Sequence, residues 1–173
     1  MADPEAGPET GTPTGPLTRV NFFDGMLLTG EDLRVEQEYH RRKQQLHNRL
    51  HGYGTVEGLE VTVDRHDHTV HVSAGWAIDP QGREIVLADS WSSDEITCRT
   101  CDLVIAWVET ATAPVPGRPD DGPIHTRWIE QPELSLVAPG EAPPDALVLA
   151  RIKRRRLGRL SVDDSVRRQL GRD

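Results

Sequence analysis

Cysteine is scarce: two residues in 173 cannot build the disulfide framework on which small secreted domains rely. Long apolar runs are missing as well, and nothing approaches the roughly 20 residues that a membrane-spanning helix needs. Residues 1–16 have neither a basic start nor an apolar stretch, so they do not read as a signal peptide, and synthesis and assembly in the cytoplasm are expected. Basic charge is in the minority, 20 Lys and Arg against 28 Asp and Glu. The net charge of −8 makes the surface as a whole repel nucleic acid and anionic membrane. No internal repeat with a period of about 20 to 50 residues is present, which argues against solenoids and propellers. A Ser-His-Asp order, a phosphate-cradling glycine loop and a paired-carboxylate site are also lacking, so the chain is not expected to be an enzyme or to need a cofactor.

What remains fits one domain with a single modest core, 36% of the residues being hydrophobic. Residues 1–16, rich in Pro, Gly, Thr and Glu, cannot bury enough surface to offset the entropy of ordering and read as a disordered arm. Residues 17–57 form an N-terminal helical segment. Within it Leu17 to Leu28 reads as a small loop or strand pair turning at Asp24-Gly25, with Phe22 and Phe23 expected in the core over the helix start and an exposed interface anchor as the alternative. A helix from about Gly30 to His51 follows. Thr29 can accept an orphan amide, Asp32 stands three residues on, and Glu31 and Asp32 suit the positive end of the dipole. Gly52 and Gly54 stop it. At about 100° per residue, Val35, Tyr39, Leu46 and Leu50 share one stripe, while Leu33, His40, His47 and His51 cluster on a second face. A small β body can cover only one of these faces well.

Asn21 to Thr29, then Asp32-Leu33, Gln37, Tyr39-His40, His47-Asn48-Arg49, Leu50-His51-Gly52, Gly54 and Gly58-Leu59 resemble a segment recurrent in contractile phage-tail-like particles. The segment is that of baseplate-associated and tail-fibre-attachment proteins of bacterial contractile injection systems. Gly75 to Pro80 with Gly82 to Ile85, and Ala146 to Ile152, are similar to the same family's β region, so the resemblance spans roughly residues 18 to 165. It implies a structural part in particle assembly rather than a reaction. Because the chain ends at Asp173 without a repetitive shaft or tip, an adaptor or plug is expected in preference to a fibre.

Residues 58–162 read as a β domain. Val56 to Val63 and Val70 to Val72 alternate as a β-hairpin. Trp76 and Ile78 lead through Asp79-Pro80-Gln81-Gly82, a type I turn signal, into Ile85 to Leu87. Further strands are expected at Glu95 to Cys98, Asp102 to Thr110, Thr126 to Val137 and Ala146 to Arg155, with loops at Ala111 to Pro123 and Ala138 to Pro144. Residues 163–173 make a C-terminal helix and tail, the helix running from about Val162 to Leu170 with Ser161 as cap. The fold class is therefore α+β and mainly β: an antiparallel β-sandwich or distorted barrel with one long N-terminal helix and a short C-terminal one.

His47 and His51 have the i,i+4 spacing of a zinc-binding pair, but positions 48 to 50 are Asn, Arg and Leu, with no Glu to complete a metalloprotease motif. Capping, stacking or lining a subunit contact suits them better. Cys98-x-x-Cys101 is half of a zinc knuckle or a redox pair, and between two β runs it reads as two partly buried thiols. A composite zinc site with His66, His68 or His71 stays open. Those three histidines sit in a hairpin tip that reads as a solvated turn. Arg151, Lys153, Arg154, Arg155, Arg156 and Arg159 form a basic strip without interleaved aromatics, which favours an acidic protein surface over nucleic acid. Trp76, Trp91, Trp107 and Trp128 are spread over the β runs, Trp107 being a core residue; a sugar-binding platform is the alternative for the others.

The reading is a non-enzymatic structural subunit, an adaptor, plug or decoration of a contractile phage-tail-like particle at the baseplate or fibre-attachment region. A carbohydrate-binding module and a zinc-dependent enzyme are the alternatives. Its partners are other particle subunits and further copies of itself, as a trimer by analogy with fibre attachment, and neither nucleic acid nor membrane. The residues expected to bind partners are Phe22, Phe23, His40, His47, Asn48, Arg49, His51, Arg154, Arg155 and Arg156, with no metal ligands.

Overall fold

The computed structural model describes residues 15–64, 68–117, 122–155 and 159–171. One helix, α1 (Gly30–Leu50), precedes ten strands: β1 (Gly54–Gly58), β2 (Val61–Val63), β3 (Val70–Val72), β4 (Gly75–Ile78), β5 (Glu84–Leu87), β6 (Trp91–Ser93), β7 (Thr100–Val115), β8 (Ile124–Val137), β9 (Leu147–Arg154) and β10 (Leu160–Asp163). The strands form three antiparallel sheets, ordered β1-β4-β5, β2-β3-β6 and β10-β9-β7-β8, and no barrel closes. The mainly β, α+β class expected from the alternation of apolar residues is the class observed.

One core joins the sheets. Leu59, Val70, Val72, Ile85, Leu103, Ile105, Leu149 and Ile152 are buried together, and Trp107 closes the cluster. The positions follow strand periodicity: in β3 Val70 and Val72 point inward while His71 faces solvent. His71 thus lies in a strand and not in the hairpin tip, and His66 lies outside the described residues. Leu59, with φ of 57°, turns the chain between β1 and β2, so that Val56, skipped at the β1–β4 register shift, belongs to a different sheet from Val61. Only Val61–Val63 and Val70–Val72 form the expected hairpin.

Several local expectations fail, most of them because another strand offers the pairing. Residues 160–163 are β10, running antiparallel to β9 with Val162 opposite Ile152, so no C-terminal helix forms. Beyond it the tail returns to β1. The Thr55 N–H donates to the Arg168 carbonyl at 2.9 Å and the Leu170 N–H to the Thr55 carbonyl at 2.9 Å. Glu95 to Cys98 is not a strand, the pairing with β3 being taken by Trp91–Ser93. Ala111 to Val115, expected in a loop, extends β7 against β8. Of the two forms expected for Leu17 to Leu28, the loop is the one observed, turning at Asp24-Gly25 where the Met26 N–H donates to the Phe23 carbonyl at 3.1 Å. Cys98 and Cys101 are joined in a disulfide and are not free thiols.

Two ion pairs stand inside the β body. Asp102 is buried and opposes Arg151 across β7 and β9, taking both guanidinium hydrogen bonds at 2.7 and 3.0 Å. The hydrogen bond from Arg151 holds the Asp102 carboxyl below its ordinary pKa, against the opposing effect of burial. Asp79 is buried in the β4–β5 turn, where its carboxylate accepts from the Gln81 and Arg83 N–H groups at 2.8 and 2.9 Å and from Arg83 Nε at 2.5 Å. Removing Asp79 leaves the Gln81 and Arg83 amides and Arg83 Nε without their acceptor in a buried turn, Arg83 keeping only its outer pairing with Asp145 at 3.0 Å. Asp79→Ala is therefore expected to destabilise the domain by about 3 to 5 kcal/mol, read by denaturant unfolding. Because the folded pKa of Asp102 is lowered, its contribution is fully present above the unfolded-state value and lost as pH falls through the folded one. Asp102→Asn should accordingly flatten the acid limb of the stability-versus-pH curve.

Candidate assembly surface

The helix begins with a complete capping box. The Asp32 N–H donates to Thr29 Oγ1 at 3.2 Å and the Thr29 N–H to Asp32 Oδ2 at 2.8 Å, as the spacing of the two residues predicts. The Thr29 hydroxyl also lowers the Asp32 pKa. At the other end His51 is the C-cap and Gly52, with φ of 86°, takes the left-handed position that releases the chain.

Of the helix's 21 residues only Asn48 is buried. Its amide donates to the Gly82 carbonyl at 2.9 Å and to Glu84 Oε1 at 3.2 Å, and its oxygen accepts from Gln44 at 3.3 Å. Arg49 Nε donates to the Gln81 carbonyl at 3.1 Å, on the β4–β5 turn instead of its own helix end. Gly82 makes this approach possible. Its φ is 84°, and a Cβ there would collide with the Gln45 carbonyl. One turn further back, Arg41 reaches Glu109 at 3.6 Å and lies 5.9 Å from the Trp107 ring, while Arg83 lies 4.6 Å from that ring on the body side.

The rest of the helix and the segment before it are left uncovered. On the first stripe Val35, Tyr39 and Leu46 are half-buried and Leu50 is exposed; on the second, Leu33, His40, His47 and His51 are all exposed. Phe22 and Phe23 are 51% and 65% exposed, and Leu27 and Leu28 are also open to solvent, which corrects the expectation that the two phenylalanines enter the core. His40 Nε2 lies 3.0 Å from Glu36 Oε1, and the His47 and His51 rings meet edge to face at 5.1 Å. Among the described residues no three metal-binding side chains gather.

The basic strip is largely engaged within the chain. Arg151 pairs with Asp102, Lys153 with Asp163 at 3.2 Å, Arg154 donates to the Ile96 carbonyl at 3.1 Å and Arg155 to Ser161 at 3.4 Å. Arg156 lies outside the described residues. Ile152 points inward, as its place in the strip requires. Arg167 falls within the span expected to be the C-terminal helix. Instead it is half-buried against β1, with Nε donating to Thr55 Oγ1 at 2.9 Å and a second nitrogen to the Gly58 carbonyl, and burial lowers its pKa. No sequence signal marks this clamp, because both acceptors lie more than 100 residues away.

No protein-family model matches the chain, and no curated protein matches it in sequence. Solved structures do match in fold. A chain of the cryo-electron microscopy structure of the type VI secretion system TssK-TssF-TssG baseplate subcomplex aligns with a TM-score of 0.54 and 14% identity, over 86% of this chain and 60% of that one. The crystal structure of TssK aligns with a TM-score of 0.51 and 12% identity, over 86% of this chain and 41% of that one. The chain thus shares a fold with baseplate proteins of a contractile injection system and spans between about two fifths and three fifths of their length.

The joint at Asn48 and Arg49 separates two roles. Asn48→Ala should lower stability by about 1 to 3 kcal/mol, since it leaves the buried Gly82 carbonyl unpaired. Arg49→Ala should lower the melting temperature too; an unchanged melt with lost particle incorporation would assign Arg49 to docking instead.

Proposed function

We propose that this chain is a non-enzymatic structural subunit, an adaptor or plug, of the baseplate or fibre-attachment region of a contractile injection particle. The observation that carries the reading is the uncovered N-terminal unit: Phe22, Phe23, Leu27, Leu28 and Leu33 exposed beside a helix that buries a single residue. Apolar side chains left in water next to a capped, rigid helix suit burial in a neighbouring subunit, where paired aromatics act as anchors. The fold shared with type VI baseplate proteins supports the same reading. His40, His47 and His51 lie on the face offered to that neighbour, which further copies of the chain, as a trimer, would cover. The buried Trp107 has no part in a sugar platform, and the cysteines needed for a zinc knuckle are bonded to each other.

The test is a Phe22→Ser, Phe23→Ser double variant in the native host. Incorporation into particles should fall by an order of magnitude or more while the melting temperature of the purified chain stays within about 1 °C, because neither side chain is in the core. Undiminished incorporation would remove the N-terminal unit from the interface. Elemental analysis of the purified protein should give well under one zinc per chain, with no change on His47→Ala.

A further inference from the structure

The β7–β8 hairpin extends beyond the sheet that supports it. β9 pairs with β7 only as far as Ile105, whereas β8 follows β7 to Val115 and Ile124. Residues 124–131 of β8 are all exposed, Trp128 at 62%, and β8 is the edge strand of its sheet. A two-stranded ribbon with an open edge is marginal alone. Protected edges carry charged side chains, Pro or a bulge; Ile124 to Gln131 has no Lys, Pro or register shift and only Arg127 and Glu130 as charges, although β7 is irregular opposite Thr126, where Ala113 has φ of 52°.

The direction of the edge groups follows from the register. The Arg154 N–H donates to the Arg99 carbonyl, in step with the Cys101–Ile152 and Leu103–Ala150 pairs. Odd residues of β7 therefore direct their backbone toward β9 and even ones toward β8. Trp107 and Pro132 accordingly form a pair that needs no hydrogen bond between them, and the missing proline N–H is lost on the outer side. Ile124, Thr126, Trp128 and Glu130 then present N–H and C=O outward, the Thr126 carbonyl already accepting from the Arg127 guanidinium at 2.7 Å and keeping one lone pair for a strand, with Pro132 ending the row of donors.

We propose that this edge pairs antiparallel with the same edge of a second copy, about a two-fold axis through Trp128. In that register Trp128 faces Trp128, Thr126 faces Glu130 and Ile124 faces Pro132, so every outward N–H from 124 to 130 meets a carbonyl. On the alternate positions Arg127 faces Ile129 and His125 faces Gln131, and no like charges oppose. Neighbouring registers are worse. Centring on Arg127 sets arginine against arginine, centring on Glu130 sets glutamate against glutamate, and centring on Ile129 carries Ile124 to Leu134, where β8 already packs on the body. This self-complementarity singles out a second copy over an unrelated strand. The inference rests on the arm alone and is independent of the baseplate reading.

A single strand pair buries less than the roughly 800 Å² per partner of a stable interface, so covalent trapping is the suitable readout. Arg127 and Ile129 would form a non-hydrogen-bonded pair with Cα atoms about 4.5 Å apart, a separation that a disulfide tolerates. The native cysteines are already bonded to each other. Full-length Arg127→Cys and Ile129→Cys chains, mixed under oxidised glutathione, should give a disulfide-linked dimer at least five times more abundant than either chain alone. Adding Glu130→Pro to both removes an outward N–H, together with the Glu130 carboxylate but with no bond of the β7 ladder, and should abolish the dimer; Thr126→Pro removes the matching N–H on the other side of the axis, at the cost of the Thr126 hydroxyl bond to the Ala113 carbonyl, and serves if Glu130→Pro lowers the melt. Crosslinking no greater in the mixture than in the single variants, or crosslinking that survives the proline in a chain of unchanged melt, would overturn the proposal. Absence of the dimer together with loss of the Glu130→Pro chain from particles would give the edge to another subunit and overturn it equally.

Discussion

The attachment of the helix depends on the β4–β5 turn. Trp107 packs in the core, Arg83 lies against its ring and pairs with buried Asp79, and Asp79 in turn holds the turn amides that place Gly82 under the helix. Asn48 and Arg49 grip the two carbonyls presented there. The chain of contacts runs from core to helix through one short loop, so the direction of the helix is set at its C-terminal half. The N-terminal half is left to project.

A projecting helix needs its own support, and this one has it. The capping box fixes its start, and Glu31–Arg34, Glu36–His40 and Glu38–Arg42 pair along its surface at i,i+3 and i,i+4. Such exposed pairs contribute only a few tenths of a kcal/mol each. They make the helix compatible with solvent without requiring a partner, while the phenylalanines and leucines before it remain available for one. The hairpin arm follows the same logic in β form: its base is held by the four-stranded sheet and its tip keeps an open edge. The two surfaces proposed for assembly thus lie on parts that fold with the body but stand outside its core.

Those parts of the chain governed by near neighbours were legible in the residues. Thr29 and Asp32 at the helix start, Gly52 at its end, the Asp79 to Gly82 turn and the inward Val70, Val72, Trp107 and Ile152 all obey rules that act over a few positions. The two-faced helix could be read from its periodicity, and so could the mainly β class. Asn48 and Arg49 stand out in the sequence as polar residues beside the helix stop, expected to bind a partner; that they hold the β4–β5 turn of their own chain is not legible, since Gly82 carries no mark of the carbonyl that crosses it.

The sequence alone determined the capped helix, the alternating strands and the position of the tight turns, because hydrogen bonds between residues three or four apart and a period of two or 3.6 are written locally. Tertiary structure decided the remainder. Ser161 and Val162 could cap and enter a helix, yet β9 offers them a ladder; Ala111 to Val115 looks like a loop, yet β8 pairs with it. Phe22 and Phe23 are of the residue type that fills cores, but the β body is held to the far end of the helix by Asn48 and leaves them exposed. In the first two cases the winning partner is a strand about two to five turns of helix away in sequence, beyond the three- and four-residue reach of helix signals, and in all three the outcome depends on the packing of the whole chain.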